Sequence, residues 1–531
     1  MAPLQVYIKH AGKTYDIQLD QDLPPTTFKD AIYQLTGVPP DRMKVMIKGG
    51  MLKDDTDWKK VALKTGQTFT VIGAAGELPK PPEKPIVFLE DMNDSEMAEA
   101  LSMPVGLKNL GNTCYMNSTL QAIRAIPELQ LALNTSSPLD VLPRALRDLY
   151  SNMFRTTESV IPNAFLTVLR HAVHQFNELD RSKSGALMMG YAQQDAEECW
   201  TQIVNALKDV PGIDPLGASV SGKKFVDQFM VGEMRRELKC DEAPEEPSTV
   251  TTERVLKFEC NITISTNYMH TSIMDSLNSK LIKNSPSLGR EASYTQTSRL
   301  SRLPHYLTVH MVRFAWRRDI GKKAKIMRRV KFTTEFDALD IVTPELKERM
   351  TPVSQRLKEI EKERAERRKV RKRTKTAAQA STPAPPSAES STNVDESAPP
   401  STAGELEDES VYRARELSEL EALVDPELKE DFGCSVTGLY DLVAIVTHKG
   451  AHADSGHYIG FVKKSVFHKP NESGQASTSE ARFDEDDEDW YKFDDDKVSI
   501  FPKEKLSTID GGGEDSSAYV LLYKSKPLAL A

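Results

Sequence analysis

The stretch that decides the fold is Gly106-Leu-Lys-Asn109-Leu-Gly111-Asn112-Thr-Cys114-Tyr-Met116-Asn-Ser-Thr-Leu120-Gln-Ala-Ile123. Gly106 and Gly111 permit a tight loop. After Cys114 the apolar residues Met116, Leu120 and Ile123 fall at helical spacing, and Pro127 ends the run. The pattern predicts that Cys114 opens a helix, where the helix dipole and free N–H groups favour the thiolate. Asn109 and Asn112 bring amide donors just upstream, and one of them can hold a developing oxyanion. A lone cysteine is usually an inert buried thiol; the loop–cysteine–helix context reverses that expectation.

A thiolate nucleophile needs a base. Two apolar runs, 440–447 and 457–462, read as strands flanking a Gly-rich polar loop, and three histidines, His448, His452 and His457, cluster there. His457 opens the second strand, a rigid place for an imidazole, but spacing alone leaves all three as candidates. A third segment, Trp490-Tyr-Lys-Phe-Asp494-Asp495-Asp496, offers carboxylates that can fix an imidazole tautomer. Any of the three aspartates qualifies.

The chain has 531 residues, 69 Lys and Arg against 78 Asp and Glu, and five cysteines. The net charge of −9 argues against non-specific nucleic-acid binding. No apolar run approaches the roughly 18 residues of a membrane span. Five cysteines without a CxxC pair argue against a disulfide framework or a simple zinc site and suggest an intracellular protein with reduced thiols.

Residues 1–75 read as a separate small domain. Leu4, Val6 and Ile8, then Tyr15, Ile17 and Leu19, alternate with polar neighbours on either side of a turn at Gly12–Lys13. Phe28, Ile32 and Leu35 follow at helical spacing, behind Thr27-x-x-Asp30 as a weak capping box and before Gly37 as a stop. Strands over 43–47 and 69–72 complete an order that resembles the ubiquitin-like β-grasp. Residues 76–103, continuing the proline-containing run that starts at 74, read as a semi-rigid linker. Residues 345–430 read as an insertion. Within it, 354–375 carry eleven Lys or Arg and four Glu, which suggests a solvated helix, and 374–404 are mostly Ser, Thr, Pro and Ala, with a single Val394 and no aromatic residue, which suggests disorder.

The segments GLKNLGNTCYMNS around Cys114, YAQQDAEECW at 191–200, LPHYLTVHMVRF at 303–314, THKGAHADSGHY ending at Tyr458, WYKFDDDKV at 490–498 and AYVLLY at 518–523 resemble, in order, the boxes of the ubiquitin-specific protease family. With the ubiquitin-like region, the domain order is similar to that of proteasome-associated members. The resemblance implies an α+β chain: a β-grasp domain and, over 104–525, a papain-like catalytic domain with fingers, palm and thumb. It implies a thiol-dependent deubiquitinase acting at ubiquitin's C-terminal glycine, with no cofactor. Carried over residue by residue, it makes Cys114 the nucleophile, His457 the base, Asp494 the third member and Asn109 the oxyanion donor. Gln193, Gln194, Asp195, His448 and Tyr458 would line the channel for ubiquitin's tail, whose arginines suit an acidic, amide-rich helix and whose glycines alone pass a narrow channel. The implied partners are ubiquitin, ubiquitinated proteins and the proteasome regulatory particle, with no nucleic acid and no membrane, for a monomer of the cytoplasm and nucleus. The chain departs from the family pattern twice. Cys240 and Cys260 stand alone where many members carry two CxxC pairs, so no zinc is expected. The span from His457 to Asp494 is long and acidic at Asp484–Asp489, a candidate gate. Two rival readings are a regulatory binding module and a protease for another ubiquitin-like modifier.

Overall fold

The computed structural model describes residues 3–47, 50–54, 56–58, 61, 63–73, 93–101, 103–180, 190–318, 321–380, 407–452, 455–467 and 487–528. It divides into two compact units, Met1–Asp91 and Met92–Ala531. The chain is α+β in both.

In the first unit, β1 (Leu4–His10) and β2 (Lys13–Leu19) form a hairpin, α1 (Pro25–Thr36) follows, and β3 (Lys44–Ile47), β4 (Gly50–Met51) and β5 (Thr68–Ile72) complete a sheet of order β2-β1-β5-β3-β4. β1 runs parallel to β5; the other pairs are antiparallel. Alternation sends Val6, Ile8, Val45, Phe69 and Val71 inward onto Phe28 and Ile32 of α1. The helix stops at Gly37, in the left-handed region at φ 70°, as expected. Its start differs from the expected capping box: α1 begins at Pro25, behind Pro24, with no side-chain cap. Proline needs no partner for an N–H there and supplies helical φ, so Thr27 and Asp30 lie inside the helix. The opposite sheet face leaves Tyr7, Met46, Met51 and Ile72 exposed, with Met46 paired to Met51 across the β3–β4 ladder.

In the second unit, one eight-stranded sheet separates two cores. Its order is Phe258–Asn261, Tyr306–Val312, Ser517–Ser525, Leu439–Lys449, His457–Lys463, Trp490–Asp494 and Lys497–Phe501, with Glu335–Asp337 also paired to Leu439–Lys449. Val443, Ala444, Val446, Tyr458 and Val462 face the helices Cys114–Ile123, Val141–Phe154 and Ala196–Ala206. Leu442, Ile445, Ile459 and Phe461 face the other core. A strand covered on both faces has no polar side to show, which is why 442–446 reads as a continuous apolar run. A register shift between Leu442 and Ala444 lets Val443 and Ala444 share one core. A four-stranded sheet of Asn278–Ser285, Arg290–Arg302, Gly232–Cys240 and Thr249–Val255 stands apart.

Two sequence expectations change here. The linker ends in a helix, Asp94–Leu101, whose Asp94 carboxylate accepts from the backbone and hydroxyl of Thr157 at 3.0 and 2.7 Å; residues 74–92 lie outside the described residues. The basic stretch is not a solvated helix throughout. The helix Pro344–Ala380 buries Leu346 and Met350, then Val353, Leu357 and Ile360 against Leu420 and Val424. Beyond them Arg364 is buried on Glu416 of the helix Glu409–Leu423 at 2.7 Å, and the partly buried Arg367 pairs with Glu416 at 2.6 Å and Glu409 at 3.1 Å. The charges that looked solvated thus meet carboxylates about fifty residues away, as a buried charge requires. The low-complexity run is outside the described residues from 381 to 404. Among the described residues no helix is long and apolar enough to cross a membrane.

Candidate active site

Cys114 is the first residue of the helix Cys114–Ile123 and is 2% exposed. Thr113 at the N-cap makes no side-chain cap bond to the helix; its hydroxyl instead accepts from Leu110 N at 2.9 Å. The first-turn amides therefore remain directed at the thiol end. The loop before it needs small or left-handed residues. Gly111 and Asn112 have φ of 95° and 53°, and a Cβ at Gly106 would lie 2.5 Å from the Asp496 carbonyl. The helix rests on the His457–Lys463 strand at Gly460, where a Cβ would meet the Ser118 carbonyl at 3.2 Å. Thiol and imidazole are thus set by one helix lying directly on one strand.

His457 is half-buried, and its Nε2 bonds Asp494 Oδ1 at 2.6 Å, which leaves Nδ1 for the thiol. The hydrogen bond with Cys114, then the one with Asp494, raise the imidazole to about 9 against the opposing effect of burial. Burial opposes ionisation of Asp494, but the bonds from His457 and from Lys492 outweigh it and hold the carboxyl below its usual range. Lys492 Nζ reaches Asp494 Oδ2 at 3.2 Å. Of the other two histidines, His448 is fully buried against Phe314 and Tyr458, with ring centroids at 5.0 and 4.8 Å, and bonds the Ser455 carbonyl. Burial, then the nearby Lys325, push it down to about 4, so it is neutral. His452 sits in the loop, bridged to Ala324.

The three aspartates divide the work. Asp494 takes the imidazole. Asp495, at φ 53°, accepts from Asn109 Nδ2 and from Asn117 Nδ2, each at 2.9 Å, while its backbone carbonyl accepts from Leu107 N. Asp496 contributes the carbonyl against Gly106. Asn109 is thereby oriented through its amide N–H. Asn112 is committed elsewhere: its amide donates to the Tyr191 carbonyl at 2.9 Å.

The expected tail-channel residues are not alike. Gln193 Nε2 lies 3.3 Å from Cys114 Sγ. Gln194 is buried. Both oxygens of Asp195 are used inside the chain: one accepts from Glu197 N at 2.7 Å as the cap of the helix Ala196–Ala206, the other from Tyr519 Oη at 2.7 Å. An arginine would have to displace these bonds. Tyr458 is fully buried.

Cys240 packs with Ala292 and Tyr294, while Cys260 lies in the core beyond the main sheet, so these two thiols do not converge and do not fit a zinc site. His457, Asp494 and Asp495 form a group of metal-ligand types, but the bonds just described already engage their facing atoms. Of the acidic run, the described residues Asp487 and Glu488 pair with Lys464 and Lys503. They sit beside the Lys463–Trp490 pair, about 20 Å along the strand from His457 at ~3.3 Å per residue. The rest of the candidate gate, 468–486, lies outside the described residues.

Sequence reasoning offered Asp495 only as a rival partner for the imidazole and missed its bonds to Asn109 and Asn117, Asn117 itself and the Gln193–sulfur contact. A signal existed for Asn117: a polar residue three positions after Cys114, in a helix otherwise headed for the core, needs a polar partner.

A thiol at a helix terminus, an imidazole and a carboxylate in this relation define a cysteine-type hydrolase. The chain belongs to the ubiquitin carboxyl-terminal hydrolase family, which residues 105–523 match; residues 6–75 match the ubiquitin family. It is therefore a cysteine-type deubiquitinase with an N-terminal ubiquitin-like domain. It is 40% identical to ubiquitin carboxyl-terminal hydrolase 6 of Schizosaccharomyces pombe, over 99% of this chain and 100% of the relative. It is 36% identical to ubiquitin carboxyl-terminal hydrolase 6 of Arabidopsis thaliana, over 98% of each. It is 28% identical to ubiquitin carboxyl-terminal hydrolase 14 of Caenorhabditis elegans, over 98% of this chain and 93% of the relative.

Proposed function

We propose that Cys114, His457, Asp494 and Asn109 cleave the isopeptide bond at ubiquitin's C-terminal glycine, on conjugates arriving at the proteasome. The Cys114 thiolate attacks the glycine carbonyl carbon. The second N–H of Asn109 receives the oxyanion, the His457 imidazolium protonates the leaving lysine amine, and a thioester forms. His457, held in one tautomer by Asp494, then takes a proton from water, which hydrolyses the thioester and frees the thiol. The observation that carries this is the 2.6 Å bond from His457 Nε2 to Asp494, beside the hydrogen bond of the same imidazole with Cys114. In this reading Gln193, Gln194, Asp195, His448 and Tyr458 build the tail channel. Asp195 and the buried His448–Tyr458 pair support its wall, and Gln193 borders the reacting sulfur.

Docking on the proteasome regulatory particle is assigned to the ubiquitin-like domain, acting in a monomer of the cytoplasm and nucleus. The exposed apolar set Tyr7, Met46, Met51 and Ile72 on one sheet face supports this, since such a patch marks an interaction surface. The test is a ubiquitin probe with a C-terminal electrophile, applied with and without purified proteasome. Cys114 should be labelled, Cys114→Ala should not, and Met46→Glu should lose proteasome capture while keeping probe labelling. Labelling of Cys114→Ala would overturn the assignment.

A further inference from the structure

We propose that Gln193 is a catalytic residue that holds the Cys114 sulfur as a thiolate, and not only a contact for ubiquitin's tail. This rests on Cys114 being the nucleophile. The Gln193 amide nitrogen is 3.3 Å from Sγ, in range for a donor to sulfur. The neighbouring amides each direct an N–H to another partner: Asn109 and Asn117 to Asp495, and Asn112 to Tyr191.

Gln193 is also held from both sides. Its segment is clipped to the cysteine loop by the Asn112–Tyr191 bond and to the chain before it by Ala192 N on the Glu178 carbonyl, at 2.9 Å each. The Arg170 guanidinium lies 3.4 Å above the Tyr191 ring, and Asp195, two residues on, is locked as a helix cap. A donor so placed is pre-aimed at the sulfur. The sulfur then has two donors, a cationic one on His457 and a neutral one on Gln193. The carbonyl oxygen of the same amide can accept a tail N–H, and a hydrogen-bonded amide is a stronger donor. Occupancy of the channel is thereby coupled to the state of the nucleophile.

Removing a donor has two opposing effects. Fewer sulfurs are ionised at a given pH, about tenfold fewer for a typical bond to a charged group. Each remaining thiolate is more nucleophilic, about threefold for a Brønsted slope near 0.45. The pH–rate curves of wild type and variant should therefore cross.

The experiment is alkylation of the full-length protein by iodoacetamide, which makes no use of the tail channel, followed at Cys114 by mass spectrometry across pH. Gln193→Leu should react about three- to fourfold more slowly on the acidic limb, react about threefold faster on the alkaline plateau, and reach half its plateau rate at higher pH. The near-isosteric Gln193→Glu should shift the same way and decides the matter if the leucine variant does not fold. A profile superimposable on wild type, with Cys114 still labelled by the ubiquitin probe and only KM for a ubiquitin substrate raised, would overturn the inference and leave the nucleophile in place. Probe labelling at another cysteine would overturn the nucleophile assignment itself.

Discussion

Asp495 is the residue whose replacement most directly tests how Asn109, the proposed oxyanion donor, is held. Its carboxylate accepts from Asn109 and Asn117 at 2.9 Å each, and its backbone adopts φ 53°. Asp495→Asn is the suitable change, because asparagine tolerates the left-handed region and keeps the shape. It removes the charge and leaves one acceptor oxygen where two amide donors each need one. A hydrogen bond to a charged group contributes about 1.5–3 kcal/mol. If the bond to Asn109 is what aims the oxyanion donor, its loss should lower kcat by about 10- to 150-fold at 1.36 kcal/mol per decade. The ceiling is the effect of deleting the donor itself, about 10²–10³-fold. KM for a ubiquitin C-terminal fluorogenic substrate should stay within about twofold, since Asp495 faces the cysteine loop. The decisive measurement is a double-mutant cycle with Asn109→Ala. A residue that acts through Asn109 has little left to lose once Asn109 is gone, so Asp495→Asn should change kcat less than about threefold in that background. Equal losses in both backgrounds would refute the reasoning and assign Asp495 to holding the loop through Asn117 alone.

Three further outcomes follow from the geometry. With His457 raised to about 9, the imidazolium that protonates the leaving amine is lost as pH rises through that value, so kcat/KM should fall on an alkaline limb near pH 9; Asp494→Asn should move that limb to lower pH, and a limb that stays in place would deny Asp494 its role. The same sign applies to stability: a group raised on folding stabilises below its ordinary value near 6.5 and loses that contribution as pH passes its folded value. Gly460→Val should cost about 1–3 kcal/mol in urea unfolding, because its Cβ presses on the Ser118 backbone, and it should slow probe labelling further by lifting the cysteine helix off the histidine strand. Glu416→Ala leaves the buried Arg364 without its carboxylate, while Arg367 keeps Glu409, a loss of about 3–5 kcal/mol; hydrogen exchange should rise in Pro344–Ala380 while probe labelling of Cys114 is unchanged.

Periodicity made the first unit and the cysteine helix legible. The alternation of Val6 with Ile8, the helical spacing from Met116 to Ile123 and the stop at Gly37 are local signals, and local signals survive folding. Proline overrode the capping box at Thr27 because a fixed φ is a stronger start than a weak cap. The insertion was misread for a different reason. Arg364 and Arg367 are solvated in any local reading, and only the return of Glu416 and Glu409 from a distant helix covers and pairs them. Within the site, residue type and family resemblance together named Cys114, His457 and Asp494, and the fold brings the last two to 2.6 Å. The roles of Asp495, Asn112 and Gln193 escaped because each is defined by a bond across 79 residues or more.

The site is assembled mainly by backbone approach. Gly106 lies against the Asp496 carbonyl and Gly460 beneath Ser118, so the cysteine loop touches the aspartate turn and the cysteine helix touches the histidine strand with no side chain between them. A spacer of one methyl group at either point moves the thiol by a sizeable fraction of the length of the bonds it must make. The polar bonds then fine-tune what the glycines allow: Asp495 locks the loop through two asparagines, and Asp494 locks the ring. On this reasoning Gly106→Ala should reduce catalysis without removing any catalytic group. Its signature would be a fall in kcat together with weakened coupling between Asp495 and Asn109 in the double-mutant cycle. Intact coupling with reduced kcat would instead mean that the loop shifts as one rigid piece.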